Sequence, residues 1–181
     1  MFAVDRITED GKKAIVSLLN KSIEIEYAFI FNYPRLIDQL VNIEPLTQER
    51  VAKKLELLGK ESVQHAGWIM RLIENLGGEP QLPVGVIDRM TDIPSLLLKQ
   101  LDKEKLVQSL FQQAKLVAEQ NQAKGILAKM KVMEVGARDM VKERSRATRV
   151  LERLEIDEGR HIPLVQNIIS ELNLPMQQRF Q

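Results

Sequence analysis

Six ionisable side chains lie at positions where the helical segments of this 181-residue chain are otherwise apolar. The chain has only two histidines, and both belong to this set, each with a carboxylate a few residues before it. Charged and imidazole groups are costly in an apolar interior unless they are paired or bind something. We therefore expect a metal site built from the following candidate ligands: Glu26, Glu61, His65, Glu119, Glu158 and His161.

The spacing of two of these ligands indicates which metals the site would prefer. Glu158 and His161 are three residues apart, so they share one face of a helix and can reach the same ion. Carboxylate oxygens combined with neutral imidazole suit iron or manganese, and zinc is also compatible. A bundle core that supplies such ligands from facing helices forms a two-metal site. We expect about two iron ions per chain, with manganese or zinc as alternatives.

Four long helices are expected to position these residues. Apolar residues recur at spacings of three and four, and alternating strand patterns are missing, which predicts an all-α protein. A proline-containing connection that is too long for a tight hairpin predicts a crossover along a four-helix bundle with up-down-down-up topology. We expect a single domain, 1–181, with helices at about 9–41, 48–76, 103–135 and 143–172 and a crossover at 77–102 that holds a short helix near 95–101.

The candidate ligands fall near the midpoints of the predicted helices. Each helix of roughly 30 residues would be about 45 Å long, and antiparallel helices would bring these midpoints to one level. On the third helix Glu119 is the expected ligand, because Glu134 lies close to the helix end. A solvent-facing position is the alternative for Glu119.

Three segments carry a resemblance to a known family. LNKSIEIEYAFIFNY resembles the first helix of ferritin-like di-iron carboxylate proteins such as bacterioferritin and rubrerythrin, including a Glu followed seven residues later by Tyr, here Glu26 and Tyr33. ESVQHAGWIMRLIENLGGEP resembles their second helix and LEIDEGRHIPLV their fourth. The resemblance covers nearly the whole chain and implies that Glu26 and His65 bind one metal. It further implies that Glu119 and His161 bind the other and that Glu158 bridges the two.

The second helix departs from the family pattern. Where the family has Glu-x-x-His, Ser62 stands three residues before His65, and Glu61 stands four before it. Glu61 still shares a helix face with His65, so it is either a metal ligand or an outer partner that orients one, as Asp157 would be in the fourth helix. The site is then a two-metal centre completed by Glu61, or a single-metal or mixed site. Tyr33 is either a core residue or a hydrogen-bond partner of a ligand.

Composition narrows the classes of function. The absence of cysteine excludes disulfides, thiolate zinc sites and cysteine-ligated iron–sulfur clusters. A net charge of +1 gives no electrostatic case for nucleic acid or an acidic membrane surface, and no apolar run is long enough to span a membrane. The charged N-terminal segment lacks a signal-peptide pattern, which favours a cytoplasmic protein. A homodimer is expected from symmetry statistics.

The expected function is metal binding with oxidation of iron, or other redox chemistry that uses dioxygen or peroxide. That chemistry would make the protein an oxidoreductase of the ferroxidase, peroxidase or hydroxylase type. Two alternatives stay open. One is a bundle whose site has degenerated and which has a structural or partner-binding role, and the other is a di-iron hydroxylase of an organic substrate.

Overall fold

The computed structural model of the protein describes residues 7–83, 88, 92–133 and 146–173, and for 122–133 it describes the backbone alone. Within these residues the secondary structure is helical throughout, which confirms the predicted all-α class. The elements are α1 (Glu9–Asp38), a short 3₁₀ turn (Leu40–Asn42), α2 (Pro45–Asn75), α3 (Ile93–Met133) and α4 (Arg146–Glu171).

Local signals explain where the first two helices begin. The Thr8 side chain accepts a hydrogen bond from the backbone N–H of Gly11 and caps α1. The Glu44 carboxylate caps α2, because it accepts hydrogen bonds from the N–H groups of Leu46 and Thr47 at 3.0 and 2.8 Å. Pro45 follows this cap as the first helical residue, where its missing N–H costs nothing.

The third helix differs most from the prediction. It begins at Ile93, ten residues before the expected start, and the short helix expected near 95–101 is its first part. The Asp92 carboxylate accepts a hydrogen bond from the N–H of Ser95 at 2.8 Å and stabilises this first turn, in which Pro94 is tolerated. The predicted crossover of 77–102 is therefore too long, since the connection from α2 to α3 ends at Asp92.

Each neighbouring pair of helices is antiparallel. Helix α1 packs against α2 and α3, and α4 packs against the same two helices. Hydrogen bonds from Thr8 to Asn121 and from Tyr33 to Glu104 join opposite ends of α1 and α3. The Lys54–Glu171 ion pair likewise places the start of α2 beside the end of α4. These contacts confirm the up-down-down-up arrangement, in which α1 and α4 are diagonal neighbours.

Among the described residues, the interior is mainly apolar. Ile15, Leu19, Leu36 and Leu58 belong to a core whose side chains are almost completely inaccessible to water. Buried carboxylates and imidazoles interrupt this core near the middle of the bundle. Among the described helices, none combines the length and the hydropathy that crossing a bilayer would require.

Asp88 fastens the crossover to both halves of the bundle. Its carboxylate accepts hydrogen bonds from Asn32 of α1 at 2.9 Å and from Gln100 and Lys103 of α3 at 3.1 and 2.7 Å. Its backbone carbonyl accepts a further hydrogen bond from Arg35 at 2.6 Å. Asn32 and Lys103 directly precede Tyr33 and Glu104, which are hydrogen-bonded to each other.

Candidate metal centre

Five buried side chains from all four helices converge at the polar level. Helix α1 supplies one carboxylate, α2 one imidazole, α3 one carboxylate and α4 one of each, and none is more than 1 % exposed. Each residue lies on the apolar stripe of its helix, and helix packing therefore positions it. We call this set the central cluster: Glu26, His65, Glu104, Glu158 and His161.

The carboxylate of Glu158 lies between the two imidazoles. One of its oxygens is 2.7 Å from Nδ1 of His65, and the other is 3.4 Å from Nδ1 of His161. Glu26 Oε1 lies 3.4 Å from Nδ1 of His65, and Glu104 Oε2 lies 3.3 Å from Nδ1 of His161. The cluster thus has two halves, each with its own carboxylate and imidazole, and Glu158 faces both. The two imidazole rings stack with centroids 5.4 Å apart.

Few donor atoms of this cluster have a well-aligned hydrogen bond. Within the described part of the chain, both oxygens of Glu26 and Glu158, Oε2 of Glu104 and Nδ1 of both histidines lack a hydrogen bond of good geometry, although Nδ1 of His65 and Oε1 of Glu158 are 2.7 Å apart and form an ion pair when the imidazole is protonated. Buried polar atoms are normally satisfied, because leaving one unpaired costs about 1–3 kcal/mol. Carboxylate oxygens and imidazole nitrogens that converge in this way are a donor set that a divalent metal would satisfy. One atom each from His65, Glu158 and His161 lie within 4.8 Å of one another, a separation compatible with shared metal binding.

Outer carboxylates lie beside the imidazoles in a crossed arrangement. Glu61 of α2 lies 2.7 Å from Nε2 of His161 on α4, and Asp157 of α4 lies 3.7 Å from Nε2 of His65 on α2. Arg153 and Arg160 donate hydrogen bonds to Asp157. The Glu61 contact favours the His161 tautomer with its proton on Nε2, which leaves Nδ1 free to bind a metal. Glu61 thus contacts the outer nitrogen of an imidazole, which is the position of an orienting partner.

Tyr33 contacts the cluster from α1. Its hydroxyl donates a hydrogen bond to Oε1 of Glu104, and its ring stacks on Phe29 with centroids 5.4 Å apart. Burial and the neighbouring Glu104 carboxylate raise the pKa of Tyr33 well above its ordinary value, so the hydroxyl keeps its proton. Both readings of Tyr33 hold, since it is a core residue and also a hydrogen-bond partner of a cluster carboxylate.

The electrostatics of the cluster favour protons when no metal is bound. Burial and the nearby Glu158 charge raise the pKa of Glu26 to about 8, and burial raises the pKa of Glu104 to about 8. Burial would lower the pKa of both histidines, but the adjacent carboxylates outweigh it and raise the pKa of His65 to about 10 and of His161 to about 11. The imidazoles lower the pKa of Glu158 despite its burial. A metal ion must therefore displace protons from this cluster.

Ser62 makes the two halves unequal. It is completely buried, its hydroxyl oxygen has no hydrogen bond within the described residues, and it stands three residues before His65. Glu158 stands three residues before His161. On α4, the position three residues before the histidine supplies a carboxylate that faces both halves. On α2, the equivalent position supplies only a hydroxyl.

Glu119 does not lie in the cluster. Its side chain is exposed, and it is fifteen residues beyond Glu104, about 22 Å along the helix at 1.5 Å per residue. Leu116, three residues before Glu119 and on the same helix face, is 52 % exposed, so this face of α3 is turned towards solvent. Glu134, the competing choice, lies outside the described residues.

Glu104 is the cluster residue that sequence reasoning missed. The helix was predicted to begin at 103, which left Glu104 at its very end. A signal was present, because buried residues recur at spacings of three and four through this position: Leu97, Leu101, Glu104, Val107, Phe111, Ala114 and Ala118.

Comparison with solved structures identifies the fold. The chain superimposes on a Desulfovibrio desulfuricans bacterioferritin that has a diiron site, with a TM-score of 0.65 and 21% identity, covering 91% of this chain and 83% of that one. A ferritin-like, diiron-carboxylate protein from Bacillus anthracis gives 0.63 and 18% identity over 88% of this chain and 97% of the other. A dodecameric thioferritin from Bacteroides fragilis, a bacterioferritin-related protein, gives 0.64 and 16% identity over 93% and 90%. No protein-family model and no curated protein sequence matches the chain.

Proposed function

We propose that this chain, which has the ferritin-like fold, binds two transition-metal ions in the central cluster and that iron is the principal metal. One observation carries the proposal: five completely buried carboxylate and imidazole side chains from all four helices face one another, and most of their donor atoms lack a well-aligned hydrogen bond. The metal-binding neighbours in the comparisons support it. Glu26 and His65 would hold one ion, Glu104 and His161 the other, and Glu158 would bridge them. Glu104 takes the role first expected of Glu119.

The donor set agrees with the proposed metal. Three carboxylates and two neutral imidazoles are hard and borderline ligands, which suit iron(II) and manganese(II), with zinc also accepted. Iron(II) bound there would supply the electrons for reduction of dioxygen or peroxide. The chain's own contribution is to exclude bulk water, to orient His161 through Glu61, to place Asp157 near His65, and to donate the Tyr33 hydrogen bond to the Glu104 carboxylate.

Elemental analysis of protein purified without chelators tests this proposal. We expect about two iron or manganese ions per chain, with loss of metal in both His65→Ala and His161→Ala. Glu104→Gln should also lose metal, whereas the exposed Glu119→Gln is the matched control on the same helix and should keep it. Oxygen consumption on adding iron(II) then tests the redox chemistry. A structural bundle would contain no metal, and the histidine variants would unfold like the parent chain.

The assembly and location of the protein also remain proposals. The Bacteroides neighbour is dodecameric, whereas the symmetry argument for this chain favours a homodimer. Light scattering coupled to size-exclusion chromatography distinguishes a dimer from a larger shell by molar mass. A cytoplasmic location is the expectation from sequence and would be tested by fractionating cells that express the full-length chain.

A further inference from the structure

We propose that a cleft between α2 and α4 binds a small organic anion with an apolar body. The cleft has a volume of about 390 Å³, within the range of small-molecule sites. Among the described residues that line it, four are arginines and none is a carboxylate. The proposal does not depend on metal binding in the central cluster, because the cleft is formed by the protein side chains alone.

The arginines converge on the cleft from both helices. Helix α4 contributes Arg146, Arg149 and Arg153 at spacings of three and four, which put them on one face, and α2 contributes Arg71. Arg153 donates a hydrogen bond to Asp157 at 2.8 Å. In the described part of the chain, no ion pair joins the other three to a carboxylate.

Four like charges at this spacing repel one another, so an anion between them would be stabilised. A guanidinium group offers paired N–H donors that match the geometry of a carboxylate or a phosphate. The charge and shape of these side chains therefore favour an acidic group on the ligand.

Apart from Asn75, the other described residues that line the cleft are apolar. Trp68 and Leu72 of α2 and Ala147 and Val150 of α4 line it between the arginines. Leu72 and Ala147 are buried and form part of the hydrophobic core, whereas Trp68 and Val150 are partly exposed and pack against it. An inorganic ion would leave this apolar surface in water, whereas an aliphatic or aromatic body attached to the acidic group would cover it. The ligand class is thus a carboxylic acid or phosphate monoester with an apolar tail or ring.

Two side chains connect the cleft to the central cluster. The Trp68 ring lies against the His65 ring, with centroids 5.7 Å apart. Arg153 holds Asp157, whose Oδ2 atom is 3.7 Å from Nε2 of His65. A ligand in the cleft would therefore touch Trp68, which contacts His65 directly, and Arg153, which reaches the same imidazole through Asp157.

The only tryptophan of the chain lies in the cleft, so its fluorescence reports on occupancy directly. The probe is 8-anilinonaphthalene-1-sulfonate, which accepts excitation energy from tryptophan, and its control is the uncharged N-phenyl-1-naphthylamine. We expect energy transfer from Trp68 to the sulfonate, with binding of the uncharged probe about tenfold weaker or more, because the arginines contribute only to the anion. Octanoate should displace the probe, and octanol and inorganic phosphate should not.

Variants locate the binding. The double variant Arg71→Gln/Arg149→Gln should weaken probe binding by about tenfold or more, whereas Arg50→Gln, an exposed arginine on α2 outside the cleft, should leave it unchanged. Circular dichroism confirms that all variants remain helical. The proposal would be overturned if both probes bound equally well, or if inorganic phosphate displaced the sulfonate probe and octanoate did not. Unchanged affinity in the double variant would also overturn it. The titration is run on the chain with and without metal, so that a failure of metal binding in the central cluster is distinguished from a failure of ligand binding in the cleft.

Discussion

The two halves of the central cluster are built alike and differ at one residue. Each half has a carboxylate from one helix and an imidazole from the next, and Nε2 of each imidazole faces an acidic residue from the other half, at 2.7 Å for His161 and 3.7 Å for His65. The α3–α4 half also supplies Glu158, whereas the α1–α2 half has Ser62 at the corresponding position. Glu61 therefore contacts the imidazole of the other half, although its neighbour Ser62 supplies no carboxylate to the cluster.

Removing the shared carboxylate should have the largest effect. Glu158 is the cluster residue that faces both imidazoles, so Glu158→Gln should take the metal content from about two ions per chain towards none. Glu155→Gln is the matched control one turn earlier on α4, where the side chain pairs with Lys115. Elemental analysis after iron loading and desalting is the measurement. If Glu158→Gln kept both ions, the two halves would not share a bridge.

Adding a carboxylate to the α1–α2 half should strengthen metal binding, which is the opposite of the effect of removing Glu158. Ser62→Glu would place a second carboxylate between the imidazoles and should tighten metal binding by about tenfold or more, since even outer partners contribute about 10–100-fold. In the metal-free chain the larger buried side chain should instead lower the free energy of unfolding by about 1–3 kcal/mol. Metal titrations and denaturant unfolding with and without metal measure the two effects.

Ser62→Gln has nearly the same size as Ser62→Glu without the charge, and it should destabilise the metal-free chain without tightening metal binding. If the two variants bound metal equally well, position 62 would not face the ions.

Breaking the crossed outer contacts should weaken one half at a time. Glu61→Gln should lower the affinity of the ion at His161, and Asp157→Asn that of the ion at His65, each by about 10–100-fold. Anaerobic titration with cobalt(II), followed by its visible absorption, resolves strong from weak binding. If both variants weakened the same ion, the crossed arrangement would have no bearing on metal affinity.

Substitution of Asp88, which joins the crossover to α1 and α3, should give the smallest effect. Asp88→Asn removes a carboxylate held by Asn32, Gln100 and Lys103 and should cost about 1–3 kcal/mol of unfolding free energy at pH 7. Although its burial acts in the other direction, hydrogen bonds from Lys103, Lys99 and Gln100 lower the pKa of Asp88. A lowered pKa adds stability above the ordinary value, near 4, that is lost as the pH falls through the folded value. Denaturant unfolding from pH 7 down to 3 should therefore show the difference between the two proteins shrinking. A difference independent of pH would mean that the charge of Asp88 is not what stabilises the attachment of the crossover.

The fold could be predicted from the sequence because the signals for helices are local and repeat along the chain. Apolar spacing of three and four predicted the four helices, and a long proline-containing connection predicted the crossover that the structure confirms. Helix ends were less predictable. Glu44 and Asp92 cap α2 and α3, but a proline follows each of them within two residues, and proline is also typical of turns. Because α3 begins ten residues earlier than predicted, the level in the bundle that we expected for each of its residues was wrong.

The cluster could be predicted only in part for the same reason. The positions of Glu26, His65, Glu158 and His161 in the polar level follow from helices whose midpoints were predicted well. Glu104 was missed because its helix was given the wrong start, although its apolar neighbours pointed to a buried face. The contacts of Glu61 and Asp157 depend on the register between two helices, which no pattern within one helix contains.

Anomalous X-ray diffraction at the iron edge, from crystals of the iron-loaded full chain, tests the two-metal proposal most directly. The account predicts two peaks, one between Glu26, His65 and Glu158 and the other between Glu104, His161 and Glu158. A single peak beside His161 would mean that the half containing Ser62 has lost its ion. No peak in the central cluster, or a peak at the exposed Glu119, would contradict the proposed site.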